Sequence, residues 1–378
     1  MENLAGILEH IRKELHKYPE VSEEEYETQK RIQAFLEKHT TCELVTVAKT
    51  GLLAIFNGNK KGKTVMLRAD IDALPIQEVN TFEHASVNEG VSHKCGHDGH
   101  TTILLGVAKL LTENPLPNGK VVLLFQPSEE NGSGAQSVLK DPYFKKLHID
   151  YVFALHNLPG FTKREIVVKE NEFTSNVKSV AIILEGKTAH AAEPEKGYNP
   201  ANAIAEILYF IKQETNNIPE SADFFLATPI HITMGEKAYG VSAGYGEVHL
   251  TLRSWSTRLM EEKQATLKSL LQSLETKEKL RVTASWFEEF YANKNNTKAV
   301  EYIEAAATQL KLSINKINIP FKWGEDFGLF TQKYKGAMFG LGAGKNTPAL
   351  HNPDYDFPDD ITLTGAQLFY NILKEVQE

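Results

Sequence analysis

The chain has 378 residues, 42% of them hydrophobic, which is enough for a large core and points to two domains rather than one. A net charge of −8 with no basic stripe argues against a nucleic-acid partner, and no run approaches the ~18 apolar residues of a membrane span. The charged N-terminus lacks a signal-peptide core and the two cysteines, Cys42 and Cys95, make no disulfide framework, so a cytoplasmic protein is expected.

Two helices open the chain, and Ser22-Glu-Glu-Glu25 reads as a capping box for the second, which runs to about His39. Strand patterns follow in CELVTVAKTGLLAIFNG and KTVMLRAD, punctuated by Asn57-Gly58. DGHTTILLGVAKLL is helical, with Asp98 placed to cap it. KVVLLFQ, ended by Pro127, and YVFALHN are apolar runs that suit strands buried on both faces. Strands alternating with helices predict an α/β domain with a mostly parallel sheet flanked by helices.

From about Thr174 the pattern changes. KSVAIILEG, PIHITMG, GEVHLTLRSWS and RVTASWFEEFY read as strands; NPANAIAEILYFIKQ and TRLMEEKQATLKSLLQSLETKEKL read as helices. Their order, β-α-β-β-α-β, is that of a ferredoxin-like α+β unit. The predicted division is therefore residues 1–173 and 294–378 as one domain, with 174–293 inserted in it.

Chemistry gathers in a few places. Cys95-Gly-His97 sets a soft anion and an imidazole two residues apart, with glycine between them to let backbone approach closely. The dipole of the following helix favours a thiolate at Cys95. Glu129-Glu130 follows an apolar strand, where open α/β sheets place their sites; one carboxylate can bind a metal while the other faces a water. His156 and His351 each end a strand-like run and are each followed by asparagine. Cys95, His97, Glu130, His156 and His351 are too many ligands for one tetrahedral zinc and suit two metals with a bridging ligand. Thiolate plus imidazoles favour transition metals over Mg or Ca.

Seven segments resemble a known family. RADIDALPI (68–76), HKCGHDGHT (93–101), FQPSEENGSGA (125–135), ALHNLPG (154–160), GKTAHAAEP (186–194), EDFG (325–328) and LHNPDYDF (350–357) recur in the order seen in M20 metallopeptidases. The likeness is to the amidohydrolase branch, with its aminoacylases, hippurate hydrolases, acetyl-diaminopimelate deacetylases and auxin-conjugate hydrolases. It implies a zinc-aminopeptidase-like catalytic domain and an inserted lid or dimerisation domain, giving a homodimer through the lid. It also implies that Cys95, His97, Glu130, His156 and His351 bind two divalent ions such as Zn, Mn, Ni or Co, with Glu129 as general base and then acid. His190, on the inserted domain, is expected to stabilise the oxyanion. Asp70 is expected to orient a ligand histidine, Asp98 to do likewise or only to cap its helix, and His100 to pack in the first turn. Arg253 matches a family arginine and is read as a clamp for a substrate carboxylate or as an inter-domain salt bridge.

One departure stands out. Where the branch carries a segment ending Asn-Val-Ile-Pro, this chain has GEKAYGVSAGYGEVHL, with Tyr239 or Gly240 near the expected asparagine. The expected activity is cleavage of the amide bond of N-acyl amino acids or related small conjugates by a metal-held hydroxide. The alternatives are an aminopeptidase or dipeptidase of the same superfamily, and a metal- or ligand-binding homologue without turnover. Arg68-Ala-Asp70 in place of His-x-Asp, and cysteine rather than aspartate at 95, disfavour the peptidase.

Overall fold

Apolar residues at helical spacing in the first segment form two helices, α1 (Leu4–Lys17) and α2 (Tyr26–His39), which bury Leu8, Leu15, Ile32 and Leu36. The computed structural model describes residues 4–378. After α2 come β1 (Glu43–Val47), β2 (Gly51–Asn57), β3 (Lys60–Asp70), α3 (His97–Glu113) and β4 (Asn118–Gln126). Then follow α4 (Gly134–Lys140), β5 (Tyr151–Pro159), β6 (Ile166–Val168) and β7 (Asn171–Glu172). A second run comprises β8 (Asn176–Glu185), β9 (Ala189–His190), α5 (Ala201–Glu214), β10 (Phe225–Met234) and β11 (Val241–Ser242). It closes with β12 (Tyr245–Ser254), α6 (Thr257–Lys277) and β13 (Arg281–Phe290). Last are β14 (Lys294–Asn295), α7 (Thr297–Gln309), β15 (Ile314–Lys316), α8 (Gly328–Lys333), β16 (Lys335–Gly344) and α9 (Thr362–Gln377).

The chain divides into two compact units. One takes the residues through Phe173 together with Asn293–Asn318 and Glu325–Glu378; the other takes Thr174–Ala292 and Ile319–Gly324.

The first unit is built on an eight-stranded sheet in the order β1-β2-β4-β3-β5-β16-β6-β15. Its four central strands, β4, β3, β5 and β16, run parallel, and β1, β2 and β6 join antiparallel. This is the mainly parallel α/β sheet that the continuous apolar runs predict. Val65, Leu67, Val121, Leu123 and Phe153 are buried within it, and α3, α7 and α9 pack into the same core.

The second unit carries a four-stranded antiparallel sheet, β10-β12-β8-β13, with α5 and α6 packed on it. Strand β12 alternates in burial, placing Val248, Leu250 and Leu252 inward against Ile207 and Leu271. A short ribbon, β9 with β11, is added to the β-α-β-β-α-β order. Ile319–Gly324, a stretch without periodicity, belongs here because Ser175 binds it: the Ser175 N–H donates to Phe321 O at 3.0 Å and Ser175 Oγ to Lys322 O at 2.7 Å.

Two helix starts differ from expectation. The capping box does not form. Helix α2 begins at Tyr26, Ser22 Oγ donates to Asp72 Oδ2 at 2.7 Å, and the buried Glu25 turns inward to Thr50 Oγ1, also at 2.7 Å. Helix α3 begins at His97 with Gly96 as its cap, so Asp98 lies inside the first turn. In both places buried partners distant in sequence outcompete the local cap.

Leu250→Ala is expected to destabilise the second unit by about 2–5 kcal/mol, the usual cost of such a core cavity, while changing the first unit little. Urea unfolding followed by hydrogen exchange in each unit checks this.

Candidate metal centre

Parallel strands deliver their carboxyl ends to one side, and the ionisable residues collect there. Asp70 ends β3, Cys95 and His97 stand at the start of α3, Glu129 and Glu130 follow β4, His156 lies late in β5, and His351 follows β16. Gly96 has φ 91°, and a Cβ at that position would collide with the Asn157 amide and the Tyr355 hydroxyl, so the turn needs glycine.

The donor atoms form two triads that meet at Cys95. Those of Cys95, His97 and His156 lie within 4.8 Å of one another, as do those of Cys95, Glu130 and His351. His97 also groups with Glu129 and Glu130. Cys95 Sγ is 3.5 Å from His156 Nε2, and His97 Nε2 is 3.7 Å from Glu130 Oε1 and 3.9 Å from Glu129 Oε2. His351 Nε2 is 3.8 Å from Glu130 Oε1. Nitrogen–oxygen gaps of this size are too long for hydrogen bonds and suit atoms that share a cation at ~2.0–2.3 Å each.

The imidazoles are held from behind. His97 Nδ1 lies 2.9 Å from the Asp72 carbonyl, and His156 Nδ1 lies 2.8 Å from the Asn157 carbonyl. A carbonyl only accepts, so in each neutral ring Nδ1 carries the hydrogen and Nε2 offers its lone pair to the cluster. His97 Nε2 and Glu130 Oε1 are buried without a hydrogen-bond partner, and so is Asp72 Oδ1. Orphaned polar atoms of this kind are costly. A thiol, imidazoles and a carboxylate converging on them fit a borderline-soft divalent cation.

The titration behaviour has one source, negative groups crowded into a dry site. Burial, then Glu130 and Glu129, push the Cys95 thiol well up. Burial alone would lower His97, but Asp70, Asp72 and Glu130 raise it to about 10. Glu130 rises to about 7 through burial, with Asp72 and Asp70 opposing the pull of His97. Glu129 is raised well above the carboxylate range by burial, Glu325, Glu130 and Asp326. A bound cation reverses these shifts and displaces the protons.

Three supporting residues sit differently from expectation. Asp70 Oδ1 accepts from His100 Nδ1 at 2.7 Å, so it orients His100, and the residue behind His97 is Asp72. His100 is more than packing, because its Nε2 accepts from the Asn157 N–H at 3.1 Å. Asp98 neither caps nor supports a cluster histidine; its Oδ2 pairs with His16 Nδ1 at 2.7 Å and lies 3.6 Å from Arg12.

A buried ion cluster adjoins the triads. Arg68 Nη1 donates to Asp70 Oδ2 at 2.6 Å, Nη2 to Glu325 Oε1 and Asp326 Oδ1 at 2.8 Å each, and Nε to Gln126 Oε1 at 2.9 Å. Its sequence signal was an arginine inside the apolar run VMLRAD.

His190 and Arg253 lie in the second unit. His190 is exposed on β9, and its Nδ1 accepts from the Ala192 N–H at 3.1 Å, which leaves the hydrogen of the neutral ring on Nε2. Tyr239, 97% exposed, sits in a turn closed by Val241 N–H to Ala238 O, and the next residue, Gly240, accepts from the Ala191 N–H. Arg253 Nη1 donates to the main-chain carbonyl of Lys322 at 2.6 Å, in place of the salt bridge weighed from the sequence.

This sheet and this donor cluster define a hydrolase of the metallopeptidase class. Residues 66–375 match peptidase family M20/M25/M40, and the chain belongs to that family. An N-acetyl-L-cysteine deacetylase of Bacillus subtilis is 30% identical over 369 residues, covering 97% of this chain and 87% of that protein. A hippurate hydrolase of Campylobacter jejuni is 29% identical over 375 residues, covering 97% and 96%. A solved Bacillus subtilis structure, described as a dinuclear metal-binding peptidase from the M20 family, superposes with a TM-score of 0.81 at 27% identity, covering 99% and 98%. An aminopeptidase from Bacillus cereus shares the fold at a TM-score of 0.74 and 16% identity, covering 99% of each chain.

The His16 contact gives a pH dependence. Burial would lower this histidine, but Asp98 and Glu78 raise it to about 9, above its ordinary value of 6.5. Its stabilisation is therefore fully present below about pH 6.5 and is lost as the pH rises through 9, roughly 3 kcal/mol in all. Thermal melts from pH 6 to 10 should show a smaller loss in His16→Gln than in the wild type, the difference being the His16 contribution.

Proposed function

We propose that this chain hydrolyses the amide bond of N-acyl amino acids, using Glu129 as the proton carrier and a pair of divalent transition-metal ions. The observation that carries the reading is the buried Glu129 carboxylate 3.9 Å from His97, beside two donor triads that share Cys95. Cys95, His97 and His156 would hold one ion, and Cys95, Glu130 and His351 the other. When bound, Zn, Mn, Ni or Co supplies Lewis acidity that makes water a nucleophile near neutral pH. N-acetylcysteine and hippurate, for which two relatives are named, are both N-acyl amino acids, which supports the substrate class.

In this reading Glu129 takes the proton of the attacking water and delivers it to the amine nitrogen as the C–N bond breaks. His190 would donate Nε2–H to the oxyanion of the tetrahedral intermediate, the tautomer that the Ala192 contact favours. Arg253, with one guanidinium nitrogen engaged at Lys322, has donors left for a substrate carboxylate. Cytoplasmic residence would keep Cys95 reduced and available as a ligand.

Glu129→Gln is expected to keep its metal content and lose at least about a thousandfold in kcat, on the scale of removing a general base together with its electrostatic role. An acyl-amino-acid assay across acetyl and benzoyl substrates, with metal analysis on the same samples, tests this; a variant with half the wild-type activity removes Glu129 from the role.

The second unit also supports a homodimer. Strand β10 is a sheet edge whose exposed face carries Ile230 (63% exposed), Ile232 and Met234, and bare apolar edges pair readily. Ile230→Lys with Ile232→Lys is expected to convert a dimer to a monomer in sedimentation experiments.

A further inference from the structure

The loop 127–133 between β4 and α4 carries Glu129, and its backbone is under strain, since Ser128 has φ 56° without being glycine. Such a conformation persists only where the surroundings over-determine it. Three acidic side chains do this, one of them Asp72, whose Oδ2 accepts from the Glu130 N–H at 3.0 Å. Glu25 Oε1 accepts from the Ser128 N–H at 2.8 Å and from Ser128 Oγ at 3.1 Å. Asp326 acts at both ends of the loop. Its carboxylate oxygens accept from Gln126 Nε2 at 2.9 and 2.8 Å, on the residue before the loop. Oδ2 also accepts from the Ala135 N–H at 2.8 Å, just after it. The main-chain N–H of Asp326 then donates to Glu129 Oε1 at 3.4 Å, a long contact of the kind that tightens when substrate is bound.

We propose that Asp326 is a positioning residue for the proton carrier: its carboxylate ties down both ends of loop 127–133 while its backbone N–H aims the Glu129 carboxylate. This rests on reading Glu129 as the group that moves the proton. Asp326 touches no atom of either triad; its direct contact with the proton carrier is the N–H bond to Glu129, and its other route toward the site runs through Arg68 and Asp70.

Asp326→Asn tests the proposal with little change of shape. Whichever way the amide is turned, its NH2 faces a donor, either Gln126 and Arg68 on one side or Gln126 and Ala135 on the other. Arg68 keeps Asp70 and Glu325 as charged partners, so no buried cation is stranded. The expected result is a kcat lower by about tenfold to a hundredfold with KM and metal content within about twofold of wild type, the signature of an interaction made in the transition state. In a Glu129→Gln background the same substitution should lower the residual rate no further. Gln126→Leu, which cuts one end of the loop and also removes the acceptor of Arg68 Nε, should cost a smaller factor in kcat and serves if Asp326→Asn does not fold. A kcat within twofold of wild type, or equal losses with and without Glu129, overturns the proposal.

A wild type that turns over no N-acyl amino acid overturns the parent reading instead, and crystal structures then judge the positioning by itself. Displacement of loop 127–133 with a rotated Glu129 carboxylate in Asp326→Asn supports it, and a loop that superposes on the wild type overturns it.

Discussion

Negative charge buried at the carboxyl ends of β3 and β4 is the constraint on which this structure turns. Asp70, Asp72, Glu129, Glu325 and Asp326 are all removed from solvent, and a buried carboxylate without a counter-charge costs several kcal/mol. Arg68 neutralises one side of this group, with its donors spent on Gln126, Asp70, Glu325 and Asp326. The other side, Asp72, Glu129 and Glu130 with Cys95, faces imidazoles whose lone pairs point inward. No arginine or lysine reaches Glu129 or Glu130 within 4 Å among the described residues. The same crowding that raises the proton affinity of Glu129 and Cys95 makes a divalent cation the natural counter-charge there. One half of the sheet end is closed by an arginine, and the other has the composition of a metal site.

This division orders the supporting residues. Asp70 binds Arg68 through Oδ2 and His100 through Oδ1, and so joins the arginine half to the imidazole half. Asn157 works on the far side. Its N–H and side-chain amide meet His100, its carbonyl holds His156 Nδ1, and the amide also donates to Cys95 O. Strand β5 thereby fixes the positions of two histidines and the cysteine turn at once.

Much of the fold was legible because periodicity carries it. The continuous apolar runs of β3, β4 and β5 and the alternation of β12 each report burial on two faces or on one. The residues brought together in the donor cluster were legible from strand ends and spacing. What escaped the sequence were partners chosen in three dimensions. Glu25 reads as a helix cap and turns out to hold Ser128, over a hundred residues away in the chain. Asp98 reads as a cap and instead meets His16. Asp72 lay inside a recognised segment, yet its carbonyl, the atom that matters to His97, has no sequence signature at all.

Ile319–Gly324 has a consequence for how the protein is made. The second unit is two pieces of chain rather than one, and the chain passes between the units at residues 173/174, 292/293, 318/319 and 324/325. Its sheet and helices are complete in sequence by Phe290, but the carbonyls that satisfy Ser175 and Arg253 are synthesised only with residues 321–323. Between Phe290 and those residues the chain lays down β14, α7 and β15 of the first unit. An excised 174–292 fragment would lack the strand of chain that satisfies Ser175, so the natural cut for an independently folding piece is not where the sequence pattern changes.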